Sequence, residues 1–329
     1  MSVLQLPEPE LETAPPGLPP ELDAGPYASI AAGDLGGLTQ YGVCLETLPP
    51  GSASSVRHWH DREDEFLYVI EGTPTLVEDT GERLLRPGDA CAWPAGRTNG
   101  HCLQNRSDRD VRFLIAGWRD PHDVCTYSGL DRRFVKSPER DGYTRRDGTP
   151  IEEGTPVAGV SDPPPDAPSG YVDASQAPRK TGSIYPPPYD AQMQGRSSIR
   201  LGQAGGLTQF GANIVILAPR AVSSLRHWHH HEDEFVMVTQ GEVTLEQDAG
   251  PTTMHPFDCA AFPAGVADGH RFVNHTDTEA RFLVLGSKAA HEIATYSDVD
   301  LKIEIAGGSA TFTHWDGRPY EAPGEGETT

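Results

Sequence analysis

Three histidines and one glutamate recur in this 329-residue chain as two matched sets. The first set is His58, His60, Glu65 and His101, and the second is His227, His229, Glu234 and His270. Every member of the second set follows its counterpart by 169 positions, since 227 − 58 and 270 − 101 both give 169. Imidazole nitrogen and carboxylate oxygen are ligands of divalent transition metals. The two sets therefore predict one metal ion per copy, with Fe(II) preferred and Mn, Ni, Co, Cu or Zn as alternatives.

The spacing within each set indicates β-strands. In the His-Trp-His triplet the histidines stand at i and i+2, so on a strand both imidazoles share one face. Glu65 comes five residues later, and His101 must arrive from a separate strand about 40 residues on. On an octahedral ion four protein ligands leave two positions for water, substrate or O₂. On tetrahedral Zn they close the shell and give a structural site.

The residues beside these ligands permit less definite predictions. Glu63, Asp64, Glu232 and Asp233 adjoin the glutamate ligands without ligand spacing, and we expect them to be surface charges. Asn105 and Asn274 stand at i+4 from the last histidine of each set. Each asparagine either faces a substrate or forms a turn at a strand end.

Sequence identity between the copies extends well beyond the ligands. GGLTQYG at 36–42 matches GGLTQFG at 205–211, PAGRTNGHCLQN at 94–105 matches PAGVADGHRFVN at 263–274, and RFLIAG at 112–117 matches RFLVLG at 281–286. Between these segments the apolar runs are short and bounded by Gly and Pro turns, which is typical of sandwiches and barrels. The repeat predicts two copies of one all-β domain with little helix.

Composition predicts the boundaries of the two domains. Two Pro-rich stretches bracket the copies, and the second contains PPPDAP and YPPPYD, which favour an extended spacer over a packed element. The predicted segments are a Pro/Glu-rich N-terminal arm at 1–26, domain 1 at 27–149, a Pro-rich linker at 150–190, domain 2 at 191–320 and a C-terminal tail at 321–329.

Charge and cysteine content restrict the partners. The formal net charge is −22, so the surface repels nucleic acid and anionic lipid, and we expect neither a nucleic-acid nor a membrane role. The five cysteines are odd in number, lack CxxC spacing and do not recur at the 169-residue offset, which favours a reducing compartment. With no signal peptide and no apolar run of membrane length, the predicted location is cytoplasmic. We expect a small-molecule substrate and either a monomer or a homodimer.

These motifs resemble those of the cupin superfamily, whose first motif is G(x)5HxH(x)3–4E(x)6G and whose second is G(x)5PxG(x)2H(x)3N. Copy one matches with its four ligands and with Gly72, Gly88, Pro94, Gly96 and Asn105. Copy two matches with its four ligands and with Gly241, Pro263, Gly265 and Asn274. Three features depart from the pattern. In both copies, four residues instead of two separate the second-motif glycine from the last histidine. In copy two, Phe257 stands where the motif has a turn glycine, and in copy one Gly51 lies one residue too far from His58.

The resemblance implies a bicupin, with two tandem double-stranded β-helix (jelly-roll) barrels in one chain. Within the superfamily the pattern is similar to proteins described as quercetin-dioxygenase-like or mannose-6-phosphate-isomerase-like. Our leading interpretation is a mononuclear-metal oxidoreductase of dioxygenase type acting on a small organic molecule. The alternatives are a non-redox metal-dependent decarboxylase, isomerase or lyase, and a non-catalytic binding or sensing protein. The sequence identifies neither the catalytic residues nor the active copy.

Overall fold

The computed structural model describes residues 2–14 and 18–321, and their regular structure is almost entirely β-strand. Helix is limited to α1 (Ala32–Leu35), α2 (Leu201–Ala204) and the 3₁₀ turns Pro20–Leu22 and Tyr189–Met193. The all-β prediction is therefore confirmed. Within the described ranges, no helix is long and apolar enough to cross a membrane. The five cysteines are all free.

Domain 1 is built from the strands β1 to β13, and the strand β14 is added to one of its sheets from the linker. These strands are β1 (Ala28–Ile30), β2 (Tyr41–Leu48), β3 (His58–His60), β4 (Glu65–Glu71), β5 (Thr75–Glu78), β6 (Gly81–Leu84), β7 (Ala90–Trp93), β8 (His101–Gln104), β9 (Val111–Trp118), β10 (Val124–Tyr127), β11 (Arg133–Val135), β12 (Gly142–Thr144), β13 (Pro150–Ile151) and β14 (Tyr171–Val172). They form two sheets, of strand order β1-β2-β9-β4-β7-β14 and β13-β12-β11-β10-β3-β8-β5-β6.

Domain 2 repeats this arrangement with the strands β15 to β27. These strands are β15 (Arg179–Thr181), β16 (Arg196–Ile199), β17 (Phe210–Leu217), β18 (His227–His229), β19 (Glu234–Gln240), β20 (Val243–Gln247), β21 (Gly250–Met254), β22 (Cys259–Phe262), β23 (Arg271–Val273), β24 (Ala280–Ser287), β25 (His291–Tyr296), β26 (Lys302–Ala306) and β27 (Ser309–Thr313). The sheet orders are β15-β16-β17-β24-β19-β22, β18-β25-β26-β27 and β21-β20-β23. The two smaller sheets meet at an isolated bridge between His227 and His270.

Alternation along the strands gives each domain an inner core and a second apolar face. In β4, Leu67 and Val69 point into domain 1, where they pack with residues of both sheets. Phe66 and Ile70 point the other way, into a cluster that also contains Phe235 and other side chains of domain 2. The two six-stranded sheets therefore pack back to back, and burial of their outer faces joins the domains.

The segment before each domain pairs with the other domain. In the N-terminal arm, the Leu4 amide donates to the Cys259 carbonyl at 2.9 Å, which adds a strand edge to β22. In the linker, β14 pairs with β7 through Val172 and Ala90. The linker then forms β15, which pairs with β16 of domain 2. The 150–190 stretch thus contains packed strands, because the open edges of β7 and β16 offer unpaired backbone groups.

Asp64 is a buried residue of the interface between the domains, and its expected position as a surface charge is wrong. Its side chain is 0% exposed. One carboxylate oxygen accepts the backbone N–H groups of Thr208 and Gln209 from domain 2, the latter at 2.8 Å, and the other accepts the Ala95 N–H at 2.8 Å. A charged acceptor with three N–H donors is stable without a cationic partner.

Asp233 of domain 2 makes the equivalent contacts to domain 1, so its expected position as a surface charge is also wrong. It is 1% exposed. It accepts the backbone N–H groups of Thr39 at 2.7 Å and Gln40 at 2.9 Å from domain 1, and that of Ala264 at 2.8 Å. The duplicated GGLTQ segments thus supply the donors for two symmetrical bonds between the domains. We call Asp64, Asp233 and these donors the Asp clasp.

Candidate metal centres

The four predicted ligands of domain 1 converge between its two sheets. His58 and His60 share one face of β3, and His101 of β8 stands directly opposite His58 in the strand register. Glu65 begins β4 on the facing sheet, and its Oε2 lies 3.1 Å from His101 Nε2 and 3.8 Å from His60 Nε2. The ring centroids of His58 and His101 are 5.2 Å apart. Residues separated by more than 40 positions thus surround one point.

The outer nitrogen of each imidazole in domain 1 is occupied by a protein acceptor. His58 Nδ1 lies 2.9 Å from the Val56 carbonyl, and His101 Nδ1 lies 3.2 Å from the Asn99 carbonyl. His60 Nδ1 is 2.6 Å from Asp123 Oδ2. Such acceptors fix the tautomer with hydrogen on Nδ1, so each Nε2 presents its lone pair to the centre.

The ligand set of domain 2 has the same arrangement. His270 Nε2 lies 3.0 Å from Glu234 Oε2, and His229 Nε2 lies 3.5 Å from the same oxygen. The ring centroid of His227 lies 4.9 Å from that of His229 and 5.0 Å from that of His270. The coordinating atoms of His227, His229 and Glu234 are within 4.8 Å of one another.

In domain 2, protein acceptors also lie beside the Nδ1 atoms of two of the three histidines. His227 Nδ1 lies 2.9 Å from the Leu225 carbonyl, and His229 Nδ1 lies 3.2 Å from Glu292 Oε1. His270 Nδ1 is buried and has no hydrogen-bond partner among the described residues. The His270 ring is held by stacking on Phe262 at a centroid distance of 3.7 Å, as His101 is held by Trp93 at 3.8 Å.

These donor sets fit a metal ion. Ligand atoms about 2.1 Å from one ion and at right angles to each other lie roughly 3 Å apart, close to the shortest nitrogen–oxygen distances found in both domains. In domain 1, where the Asn99 carbonyl holds the hydrogen on Nδ1 of His101, a neutral His101 directs its Nε2 lone pair at Glu65. That contact is repulsive unless a proton or a metal cation lies between the two atoms. A single cation at the centre satisfies all four side chains together.

The pKa values of equivalent ligands are shifted in the same direction in the two domains. Burial and the neighbouring imidazoles lower the pKa of His58 to about 4 and that of His227 to about 3, so both are neutral ligands at pH 7. Burial opposes ionisation of Glu65, but the adjacent His101, His58 and His60 lower its pKa to about 2. Burial opposes ionisation of Glu234 as well, but the adjacent His229 and His270 lower its pKa. Both glutamates are therefore anionic ligands.

Asp123 and Glu292 are functional residues that sequence reasoning missed. They occupy equivalent positions, because 292 − 123 is again 169. Each accepts from Nδ1 of the second histidine in its set and from a backbone amide of the following turn, that of Arg62 or of His230. Partners of this kind orient metal ligands and make them more basic. The only sequence signal is an acidic residue recurring at the duplication offset.

The asparagines lie away from the centres, whereas the remaining acidic neighbours, Glu63 and Glu232, lie beside the second histidine of each set. Asn105 donates to the Leu48 and Arg109 carbonyls, and Asn274 donates to the Thr278 carbonyl, so both form turns. Glu63 is buried rather than at the surface and accepts from the Lys136 ammonium. Glu232 is half-buried and accepts the Ala289 amide.

The cavities around the two centres differ in size. The cavity of domain 1 has a volume of about 160 Å³, and its walls include His58, Glu65, His101 and Glu46. The cavity of domain 2 has a volume of about 640 Å³ and includes all four of its ligands. A pocket for a small organic molecule typically measures roughly 300–1,000 Å³. In volume, the cavity of domain 2 is suited to a substrate, and that of domain 1 is too small.

The cavity of domain 1 contains a carboxyl group that domain 2 lacks. Glu46 of β2 lines this cavity, and in the described residues no side chain forms an ion pair or hydrogen bond with it. Burial and the nearby Glu65 raise the pKa of Glu46 to about 8. The equivalent residue in domain 2 is Val215.

Comparison with protein families and solved structures identifies similar molecules. A model of the cupin domain matches residues 44–117 and 213–286. A sugar phosphate isomerase of the cupin superfamily from Silicibacter pomeroyi is 52% identical, over 46% of this chain and 96% of that chain, with a TM-score of 0.45. No curated protein matches this chain in sequence.

Two-domain structures are also similar over most of the chain. A putative glyoxylate-induced protein from Pseudomonas aeruginosa is 15% identical, over 81% of this chain and 82% of that chain, with a TM-score of 0.50. Oxalate decarboxylase from Bacillus subtilis is 16% identical, over 80% of this chain and 72% of that chain, with a TM-score of 0.47. At such identities the likeness concerns the fold alone.

Proposed function

Since the chain belongs to the cupin superfamily, we propose that it is a metal-dependent enzyme with its active site in domain 2. We further propose that it is a mononuclear-metal oxidoreductase of dioxygenase type, acting on a small organic molecule. The observation that carries the proposal is the 640 Å³ cavity into which His227, His229, Glu234 and His270 converge. Domain 1 then holds a structural ion, because its cavity of about 160 Å³ leaves no room for a substrate.

The walls of the domain 2 cavity support chemistry away from bulk water. Val215, Phe272, Phe282 and Val284 line it from three strands of domain 2. Apolar walls exclude water and leave the metal-facing positions to substrate and dioxygen. The ligand residues hold the ion on rigid strands, and a bound Fe(II) ion would supply Lewis acidity and one-electron chemistry with dioxygen.

A second candidate is a non-redox isomerase, decarboxylase or lyase, and one observation favours it. Tyr185 and Tyr296 line the same cavity, with ring centroids 5.3 Å apart. The ring of Tyr296 lies 5.8 Å from that of His227. Burial raises the pKa of Tyr296, so its phenol stays protonated and can donate a hydrogen bond to an oxygen of a bound substrate.

Dioxygen uptake by iron-loaded protein distinguishes these activities. The full chain is stripped of metal, reloaded with Fe(II) and supplied with phenols, carboxylates and sugar phosphates in an oxygen-electrode cell, with anaerobic and Mn(II)-loaded samples alongside. We expect substrate loss matched by oxygen uptake, and none in His227→Ala. Equal substrate loss without oxygen would identify the non-redox class. Full metal loading with no turnover of any compound would contradict both enzymatic proposals.

A further inference from the structure

We propose that the domain 2 cavity recognises a small organic anion, whose phosphate or carboxylate group is bound by Lys180, Arg196 and Arg200. All three side chains line the cavity that holds the candidate metal centre. We call these three residues the cationic cluster. The inference rests on the proposed function, since it names the substrate class of the same site.

Strand geometry places the cationic cluster on one face. Arg196, Ser198 and Arg200 alternate along β16 and its continuation, and all three line the cavity. Lys180 of β15 stands directly opposite Ser198 in the strand register. The two arginines are therefore diagonal neighbours of Lys180, roughly 7–8 Å away between backbones, a distance that long side chains span. One anionic group between them can contact all three.

The cationic cluster lacks counter-charges of its own. Among the residues that the structure describes, no carboxylate forms an ion pair with any of its members. Arg196 Nε is buried without a hydrogen-bond partner, and Arg200 has a single contact, to Gln203 Oε1 at 3.4 Å. In a chain with 48 acidic and 26 basic side chains, three clustered cations without acidic partners are unexpected. Burying an unpaired guanidinium is costly, and a bound oxyanion would remove that cost.

The position of the cationic cluster also fits a substrate of the metal centre. Arg196 is close enough to Glu234 for the two charges to interact, yet the two do not form an ion pair. A molecule that fills this cavity contacts both the cluster and the candidate ligands, since all of them line it. Guanidinium groups bind phosphate and carboxylate oxygens in a bidentate way. Three cations favour a dianion, so we expect a phosphate monoester to bind more tightly than a carboxylate.

Domain 1 has none of these side chains at equivalent positions. Lys180, Arg196 and Arg200 correspond at the 169-residue offset to Leu11, Tyr27 and Ala31. Together with Glu46 in the cavity of domain 1, these exchanges disfavour an anion there. The anion site is therefore predicted for domain 2 alone.

Calorimetric titration of the metal-free full chain tests this inference separately from catalysis. The probes share one carbon skeleton: glycerol 3-phosphate, glycerate and neutral glycerol. We expect both anions to bind and glycerol not to bind, with Arg196→Gln weakening anion binding by about tenfold or more, as the loss of a bidentate charged contact implies. Arg179→Gln is the matched control, because Arg179 adjoins Lys180 on β15, is exposed and does not line the cavity. It should change binding by less than about twofold.

Each outcome decides the inference. Tighter binding of glycerol 3-phosphate assigns a phosphate ester, and tighter binding of glycerate assigns a carboxylate. Absence of anion binding, or equal binding by Arg196→Gln and Arg179→Gln, overturns it. Should Arg196→Gln fail to fold by circular dichroism, Lys180→Met on the neighbouring strand replaces it. A chain that binds anions but no metal would refute the proposed function alone, whereas oxidation of a neutral phenol without anion binding would refute this inference alone.

Discussion

The two domains have the same candidate metal ligands but different cavity walls. In both, three histidines and a glutamate meet between the sheets, with a carboxylate behind the second histidine. Around these residues domain 1 has Glu46 and a volume of about 160 Å³, and domain 2 has the cationic cluster and about 640 Å³. The two copies thus share the four candidate ligands and differ in the side chains that line the cavity around them. The identity of the candidate ligands alone therefore does not distinguish the domain that we propose to be catalytic.

The largest expected contrast concerns turnover by ligand variants. We expect His227→Ala to lower iron-dependent turnover by at least about a hundredfold, because it removes a ligand of the proposed catalytic ion. The counterpart His58→Ala should retain turnover within about threefold, provided that it folds. Steady-state rates on the substrate found by oxygen uptake provide the measurement. A greater loss in His58→Ala would assign catalysis to domain 1 and reverse the comparison.

Substitution of either aspartate of the Asp clasp should lower the stability of the chain by a similar amount. Asp64→Asn and Asp233→Asn each replace a buried anionic acceptor of three N–H groups with an amide, and we expect each to lower the free energy of unfolding by about 2–4 kcal/mol. Urea denaturation measures this loss, with the exposed Asp108→Asn as control. A loss in one variant alone would show that the domains are not joined symmetrically.

The carboxylates behind the ligands should also be equivalent. Asp123→Asn and Glu292→Gln each remove the anionic acceptor of a histidine Nδ1, and we expect metal affinity to fall about 10–100-fold in the domain concerned. Competition with a chelating dye measures the affinity. Glu304→Gln is a control, since its partner His291 is exposed and outside both centres. An unchanged affinity in either variant would mean that the carboxylate does not support its ligand.

The smallest effect should be confined to domain 1. Burial raises the pKa of Glu46 to about 8, so the metal-free folded state holds a proton that the unfolded chain releases near pH 4.5. Stability should then fall as the pH rises from about 4.5 to about 8. Glu46→Gln should remove this loss and raise the Tm at pH 8 but not at pH 4, as measured by thermal unfolding with chelator present. An equal Tm at pH 8 would place Glu46 in contact with water.

The β fold and all eight candidate ligands could be predicted from sequence, because they follow from local periodicity and from spacing. His58 and His60 need only the two-residue repeat of a strand, and the match of His101 to His270 follows from the duplication. Residues whose role depends on the other domain could not be found in this way. Asp64 bonds to Thr208, 144 positions away, and no local pattern distinguishes such an acid from a solvated one.

The cationic cluster had even less sequence signal. Arg196 and Arg200 lie near the Pro-rich linker, outside the segments that match between the copies, and a pair four residues apart is common on surfaces. Lys180 reaches the cavity only because the linker forms β15 and pairs with β16, and the sequence did not predict a strand there. Side chains that differ between the copies are the ones that a repeat cannot reveal, and here they line the larger cavity.

Metal content per chain is the most direct test of whether each set of four side chains holds one ion. The full chain, reloaded with Fe(II) without oxygen and freed of excess metal, is analysed by elemental mass spectrometry beside His101→Ala, His270→Ala and the double variant. We expect two ions per chain, one in each single variant and none in the double variant. Fewer than two ions in the unchanged chain, or two in either single variant, would contradict a four-ligand centre in each domain.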